Sequence, residues 1–324
     1  MKTGLVICVL LLLAPQVRAA QNYLLIISGI GGIEAYSEQF SEASISLMQS
    51  AIKAGIDRQN IILLSAQPTD DTSTNHRVSD KATINQALLE ISAKVGVDDR
   101  VFLVLIGHGN PRGKSSVFNL PGPDISAEEL DRALAVFDNQ TTVIVNTASA
   151  SGPFVKALSR DNRVVITATS SAREYHATEF GGFFVAAFAT PGADRDKDER
   201  ISILEAFDYA QREVRRSFES DKRLLTEHAL LDDNGDGEGS LKPGEFMADG
   251  ALANRIFLQQ SLSLATGASD ELLEMLQRKQ EIEKSISKIK TQRDNMLLAN
   301  YYHQLESLLV DLALLSREIR ALGG

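Results

Sequence analysis

Val101-Phe102-Leu103-Val104-Leu105-Ile106-Gly107-His108-Gly109 is the stretch on which the fold turns. Six consecutive apolar residues make a strand apolar on both faces, which suits a parallel sheet covered on both sides. The run stops at Gly107, and a histidine between two glycines follows. Ligands on open α/β sheets bind at the carboxyl ends of strands, so His108 stands where such a sheet carries its chemistry.

Working outward, residues 23–27 and 61–64 read as two earlier strands, 143–145 and 164–166 as two later ones. Between them, Phe40, Leu47, Met48, Ala51 and Ile52 recur at helical spacing, with Gly55 as the stop. Ile84, Leu88, Leu89 and Ile91 mark a second helix. Ser126 and Glu129 form a capping-box pattern ahead of Leu130 and Leu134. This alternation predicts an α/β fold, a parallel sheet in three layers with helices on both faces.

The strand at 143–145 leads into Ala148-Ser149-Ala150-Ser151-Gly152. Since His108 and Ser149 both follow strand ends, they are expected to share a site. The strand at 164–166 continues as Thr167-Ala168-Thr169-Ser170-Ser171.

With these pieces in order, residues 23–152 resemble the caspase-fold peptidases, most of all the legumain (C13) branch. The matching features are a first strand ending Ser28-Gly29, Gly55-Ile56 leading into Ile61-Ile62, and a strand ending His108-Gly109. Phe118, Leu120 and a helix with Leu130 follow, then the Ala148–Gly152 turn and the Ala-Thr-rich strand. The resemblance implies a caspase-like sheet in which His108 polarises a carbonyl or moves protons. It also implies that Ser149 holds the position of the nucleophilic Cys. The N–H groups of Gly109 and Ser149 would then supply an oxyanion hole, with Ser28, Thr169 and Ser170 lining the substrate pocket. Two departures accompany it. A hydroxyl replaces the thiol and needs an oriented base to react; Asn146 and Asp124 are the candidate helpers. Where legumain-like enzymes carry an arginine after the first-strand turn, this chain has Ser37, so the charge for cleavage after Asn or Asp is missing.

The single cysteine, Cys8, lies in an apolar run at residues 5–14, behind Lys2 and ahead of Val17-Arg18-Ala19-Ala20. Residues 1–20 read as a secretory signal, too short to span a bilayer stably. Its removal leaves no thiol, which excludes disulfides, thiolate catalysis and Cys-ligated zinc. An exported chain without disulfides suits the bacterial periplasm or the medium. The net charge of −10, with no basic run, argues against nucleic acid as a partner. A peptide or protein is the expected ligand, and nothing points to an organic cofactor.

Two acidic loops stand out. Residues 194–205 match an EF-hand loop, with Asp194, Asp196 and Asp198 at positions one, three and five. Arg200 would offer its carbonyl and Glu205 the twelfth ligand. Glu199 stands where the sixth-position Gly is usual. In 232–245, Asp232, Asn234 and Asp236 fit the first three ligand positions, but Pro243 takes the twelfth and the acid comes late, at Glu245. Structural Ca²⁺ is therefore expected at the first loop, while the second reads equally well as a metal-free turn.

Residues 21–260 are expected to form the α/β domain and 261–269 a linker. Residues 270–324 read as a coiled-coil-like helical hairpin with its phase break at 297–301. Charged residues interleave throughout, which favours a pair packed on the domain or self-associating over a membrane role. Three functions follow: a pseudo-peptidase that binds a peptide in the old cleft, a working Ser149/His108 peptidase or esterase, or an assembly protein acting through the hairpin.

Overall fold

The computed structural model describes residues 20–68, 76–113, 115–244, 249–259, 270–291 and 296–321. Cys8 and all but the last residue of the signal segment lie outside them, as do the 261–269 linker and Glu245.

The chain divides into two compact units, one of them Ala20–Gln260. Its sheet is built from β1 (Asn22–Ser28), β2 (Ile61–Ser65), β3 (His76–Val78) and β4 (Arg100–Ile106). A small hairpin sheet follows: β5 (Gly109–Arg112), β6 (Ser115–Phe118) and β7 (Ile125–Ser126). β8 (Thr141–Asn146), β9 (Arg163–Thr167) and β10 (Leu230–Asp232) complete the large sheet, in the order β10-β9-β8-β4-β1-β2-β3. All neighbours are parallel except β10, which runs antiparallel to β9. On its outer side Leu231 bridges Ser240, each N–H donating to the other's carbonyl at 3.1 and 2.8 Å.

The helices are α1 (Glu34–Lys53), α2 (Lys81–Ser92), α3 (Ala127–Leu134), α4 (Pro153–Leu158), α5 (Phe180–Ala187) and α6 (Ile203–Ser220). Alternation along the strands sorts the core into two layers. Leu24, Ile26, Phe102, Val104, Val143, Val145 and Ile166 pack with α1, α5 and α6. Leu25, Ile27, Leu103, Leu105, Ile144 and Val165 pack with α2, α3 and α4. The three-layer sheet read from the strand pattern is therefore the observed one, and the apolar run at 101–106 is buried throughout.

Short elements depart from the reading. α1 begins six residues ahead of Phe40, because Tyr36 extends its apolar face by one turn. The strands β3 and β5 to β7 carry too many polar or exposed residues to show a pattern.

The helical unit holds α7 (Asp270–Thr291) and α8 (Leu298–Ala321), packed on each other. The break falls before Leu298, so 298–301 belong to α8, not to a turn at 297–301. Tyr301 anchors the first turn: it is buried, and its N–H donates to the Leu297 carbonyl at 3.0 Å. Leu297 is 76% exposed, so its apolar character misplaces the phase. Among the described residues, no helix is long and apolar enough to cross a membrane.

Candidate active site

After β3 the chain returns to pair β4 on the other side of β1, so strand order reverses at the β1/β4 seam. Such a switch point opens a crevice at the carboxyl ends of the strands. Ser28 sits there, paired with Ile106, and the Gly29 N–H donates to the Ile106 carbonyl at 2.9 Å.

His108 emerges two residues beyond β4. Its ring meets Tyr36 and Phe40 of α1 edge-on, with centroids 4.6 and 4.9 Å away. Burial pushes the imidazole below its ordinary pKa, while the Gly31 backbone works the other way. His108 therefore tends to be neutral at neutral pH.

Ser149 follows β8 by three residues and is 3% exposed. Its Oγ donates to the Gly109 carbonyl at 2.9 Å and accepts from the Gly109 N–H at 3.2 Å. The hydroxyl is thus held by the backbone of the residue after His108, both as donor and as acceptor. A Cβ on Gly109 would lie 2.4 Å from the Ser149 carbonyl oxygen, so this contact requires glycine.

The turn around Ser149 is pinned from several sides. Thr147 donates its N–H and its Oγ1 to the Leu105 carbonyl. Ala150 adopts φ 54°, and its N–H donates to the Glu174 carbonyl at 2.7 Å. Gly152 donates to Thr169 Oγ1 at 3.1 Å, and the Ser151 and Thr169 hydroxyls are hydrogen-bonded at 3.1 Å. Left-handed backbone at a residue with a Cβ costs about 1 kcal/mol, so it persists only where the surroundings impose it.

These contacts also show where the proposed pocket residues stand. Thr169 is buried, and its side chain props the turn. Ser170 donates its Oγ and its N–H to Glu174 at 2.7 and 3.1 Å. Ser28 is buried, and its carbonyl accepts from Ser79 Oγ. Of the two candidate helpers, Asp124 accepts from the Leu120 N–H, and Asn146 Oδ1 accepts from the Ala148 N–H while its Nδ2 is buried without a partner.

Three residues at this end of the sheet had no signal in the sequence. Glu174 accepts from Ser170, from the His228 N–H and, at 3.0 Å, shares a hydrogen bond with His228 Nδ1. Glu227 accepts from the Glu179 and Phe180 N–H groups at the start of α5. Burial raises its pKa to about 7, against the pull of those two donors. Glu174 and His228 are 54 positions apart, so no local motif joins them.

In the first acidic loop, carboxylate oxygens of Asp194, Asp196 and Asp198 lie within 4.8 Å of one another. Asp194 Oδ1 is buried without a partner. Burial, then the neighbouring charge of Asp198, Glu205 and Asp194, raises the Asp196 pKa. Glu199 adopts φ 68°, the left-handed backbone that the sixth position of such a loop demands. Glu205 is engaged: Oε2 closes a capping box with Ser202, and Oε1 accepts from the Arg195 and Asp196 N–H groups. The Arg200 guanidinium pairs with Asp198 at 2.8 Å. An all-oxygen, acidic set with one orphaned buried oxygen fits a hard divalent cation.

The second loop closes on itself. Asp232 accepts from the Gly235 and Gly237 N–H groups. Asn234 accepts from the Asp236 N–H, and Asp236 from the Glu238 N–H.

The model of the Peptidase C13 family matches residues 80–222, from the cap of α2 to just past α6. A comparison with curated proteins finds no match. The matched span carries both His108 and Ser149, and it lies within a sheet that is parallel up to its last strand. Residues 80–222 are therefore related to the Peptidase C13 family, on a sheet that is consistent with a caspase-like α/β fold.

Proposed function

We propose that this protein is a pseudo-peptidase, which binds a peptide or protein at the C13-type cleft and does not cut it. One observation carries this reading: the Ser149 hydroxyl is bonded in both directions to the Gly109 backbone. A serine nucleophile needs its proton taken by a base held in place by a third group. Here the proton points to a carbonyl, Asp124 serves the Leu120 N–H, and Asn146 has its acceptor oxygen engaged by the Ala148 N–H, leaving a buried Nδ2 that can donate but cannot take a proton. The Gly109 N–H, which would polarise a scissile carbonyl, is turned to Ser149 Oγ instead.

A fluorophosphonate probe tests this directly. The folded protein is expected to stay unlabelled at Ser149, and binding of a peptide library is expected to survive Ser149→Ala. Labelling at Ser149, lost in Ser149→Ala, would make the protein a serine hydrolase.

The same proposal includes a structural Ca²⁺ at Asp194, Asp196 and Asp198, supported by the orphaned Asp194 oxygen. It also places the protein outside the cytoplasm, in the periplasm or the medium, on the strength of the 1–20 segment.

A further inference from the structure

α8 is apolar on two sides. One packs in the hairpin, where Tyr301, Leu315 and Ile319 are buried. The other is exposed: Tyr302 and Val310 are 55% and 52% accessible, and with Leu309 and Ala313 they line a shallow groove. An apolar stripe of this kind on a charged helix marks an interaction face.

Among the described side chains of the stripe, one acid and one base are exposed, Glu306 and Arg317. Eleven residues at 100° each return to within about 20° of the same face, and ~16 Å further along the axis. We infer that this face of α8 pairs antiparallel with the same face of a second copy of the chain. A two-fold axis between Asp311 and Leu312 sets Glu306 opposite Arg317 twice, Val310 opposite Ala313, and Leu309 opposite Leu314. A parallel pair would set Glu306 on Glu306 and Arg317 on Arg317, and like charges across an interface discriminate against that arrangement. The interface is isologous, as two-fold dimers require. An anionic membrane is the poorer occupant, because such surfaces select Lys- and Arg-rich helices. α8 has no Lys and carries three acids, Glu306, Asp311 and Glu318, against two arginines, Arg317 and Arg320.

Sedimentation equilibrium of the full chain tests the pairing. A reversible dimer is expected. Glu306→Arg and Arg317→Glu should each weaken it about tenfold, since each turns two attractions into two repulsions. The double swap E306R/R317E should restore it. Both positions are exposed, so folding is not at stake, and circular dichroism checks this. On a Cys8→Ser background, a short bis-maleimide should join V310C to A313C in a mixture of the two single variants. That product should exceed either variant joined to itself. A monomer at all concentrations, a double swap no tighter than the singles, or preferential A313C self-linking would overturn the inference. So would sedimentation with anionic vesicles in the absence of a dimer.

Discussion

At the level of single residues, Ser149 and Gly109 form a closed pair. Removing the hydroxyl in Ser149→Ala leaves a buried N–H and a buried carbonyl without partners, which costs about 1–3 kcal/mol. Urea denaturation should show this as a lower midpoint with an unchanged slope. Gly109→Ala should cost at least as much, since its Cβ meets two backbone oxygens, those of Ser149 and Val117, at 2.4 and 2.8 Å. His108 gives a different readout. Its pKa is depressed in the fold by burial, so the unfolded chain binds the proton more readily. Its stabilising contribution is complete above the ordinary histidine value and falls as pH drops through the folded pKa. A proton NMR titration should place the His108 midpoint below 6.5, and Phe40→Ala, which opens one side of the ring, should move it upward.

Among the elements, the start of α5 has the clearest consequence. Glu227 holds its first N–H groups, with a pKa raised to about 7. A raised folded pKa means stability that is complete below the unfolded carboxylate value and is lost as pH rises through about 7. Melting temperatures should therefore fall between about pH 5 and pH 7, and Glu227→Gln should flatten that slope. The elements also show what a sequence can disclose. Long strands buried on both faces, such as β1 and β4, leave unbroken apolar runs, and the capping box at Ser126 and Glu129 is a local pattern that the structure repeats. β3 and β5 to β7 exist because of what they pair with, and pairing leaves no local trace. His108 and Ser149 were legible because each ends such a run. Glu174 was not, since its partners Ser170 and His228 come together only when the sheet is assembled. The hairpin break was misplaced because Leu297 and Leu298 carry apolar side chains into solvent.

On the scale of the molecule, the loop at 194–198 brings three carboxylates within 4.8 Å of one another. A bound cation would offset the mutual repulsion of three carboxylates. Ca²⁺ at one hundred times its Kd should raise stability by about 2.7 kcal/mol, visible as a higher melting temperature that a chelator reverses. Asp196→Asn should abolish the increment. An unchanged melting temperature in the wild-type chain would remove Ca²⁺ from the reading. Loss at Asp232→Asn instead would move the cation to the second loop.

The bridge between Leu231 and Ser240 has a consequence for how a ligand can approach. Sheet edges recruit extended peptides by adding a strand, and they recruit other chains by the same route. At β10 the outward N–H and carbonyl of Leu231 are already spent on Ser240, so that margin is sealed against strand addition and against edge-to-edge aggregation. Strand addition is left to the opposite edge, at β3, and a peptide bound as proposed above would enter across the ends of the strands, over His108.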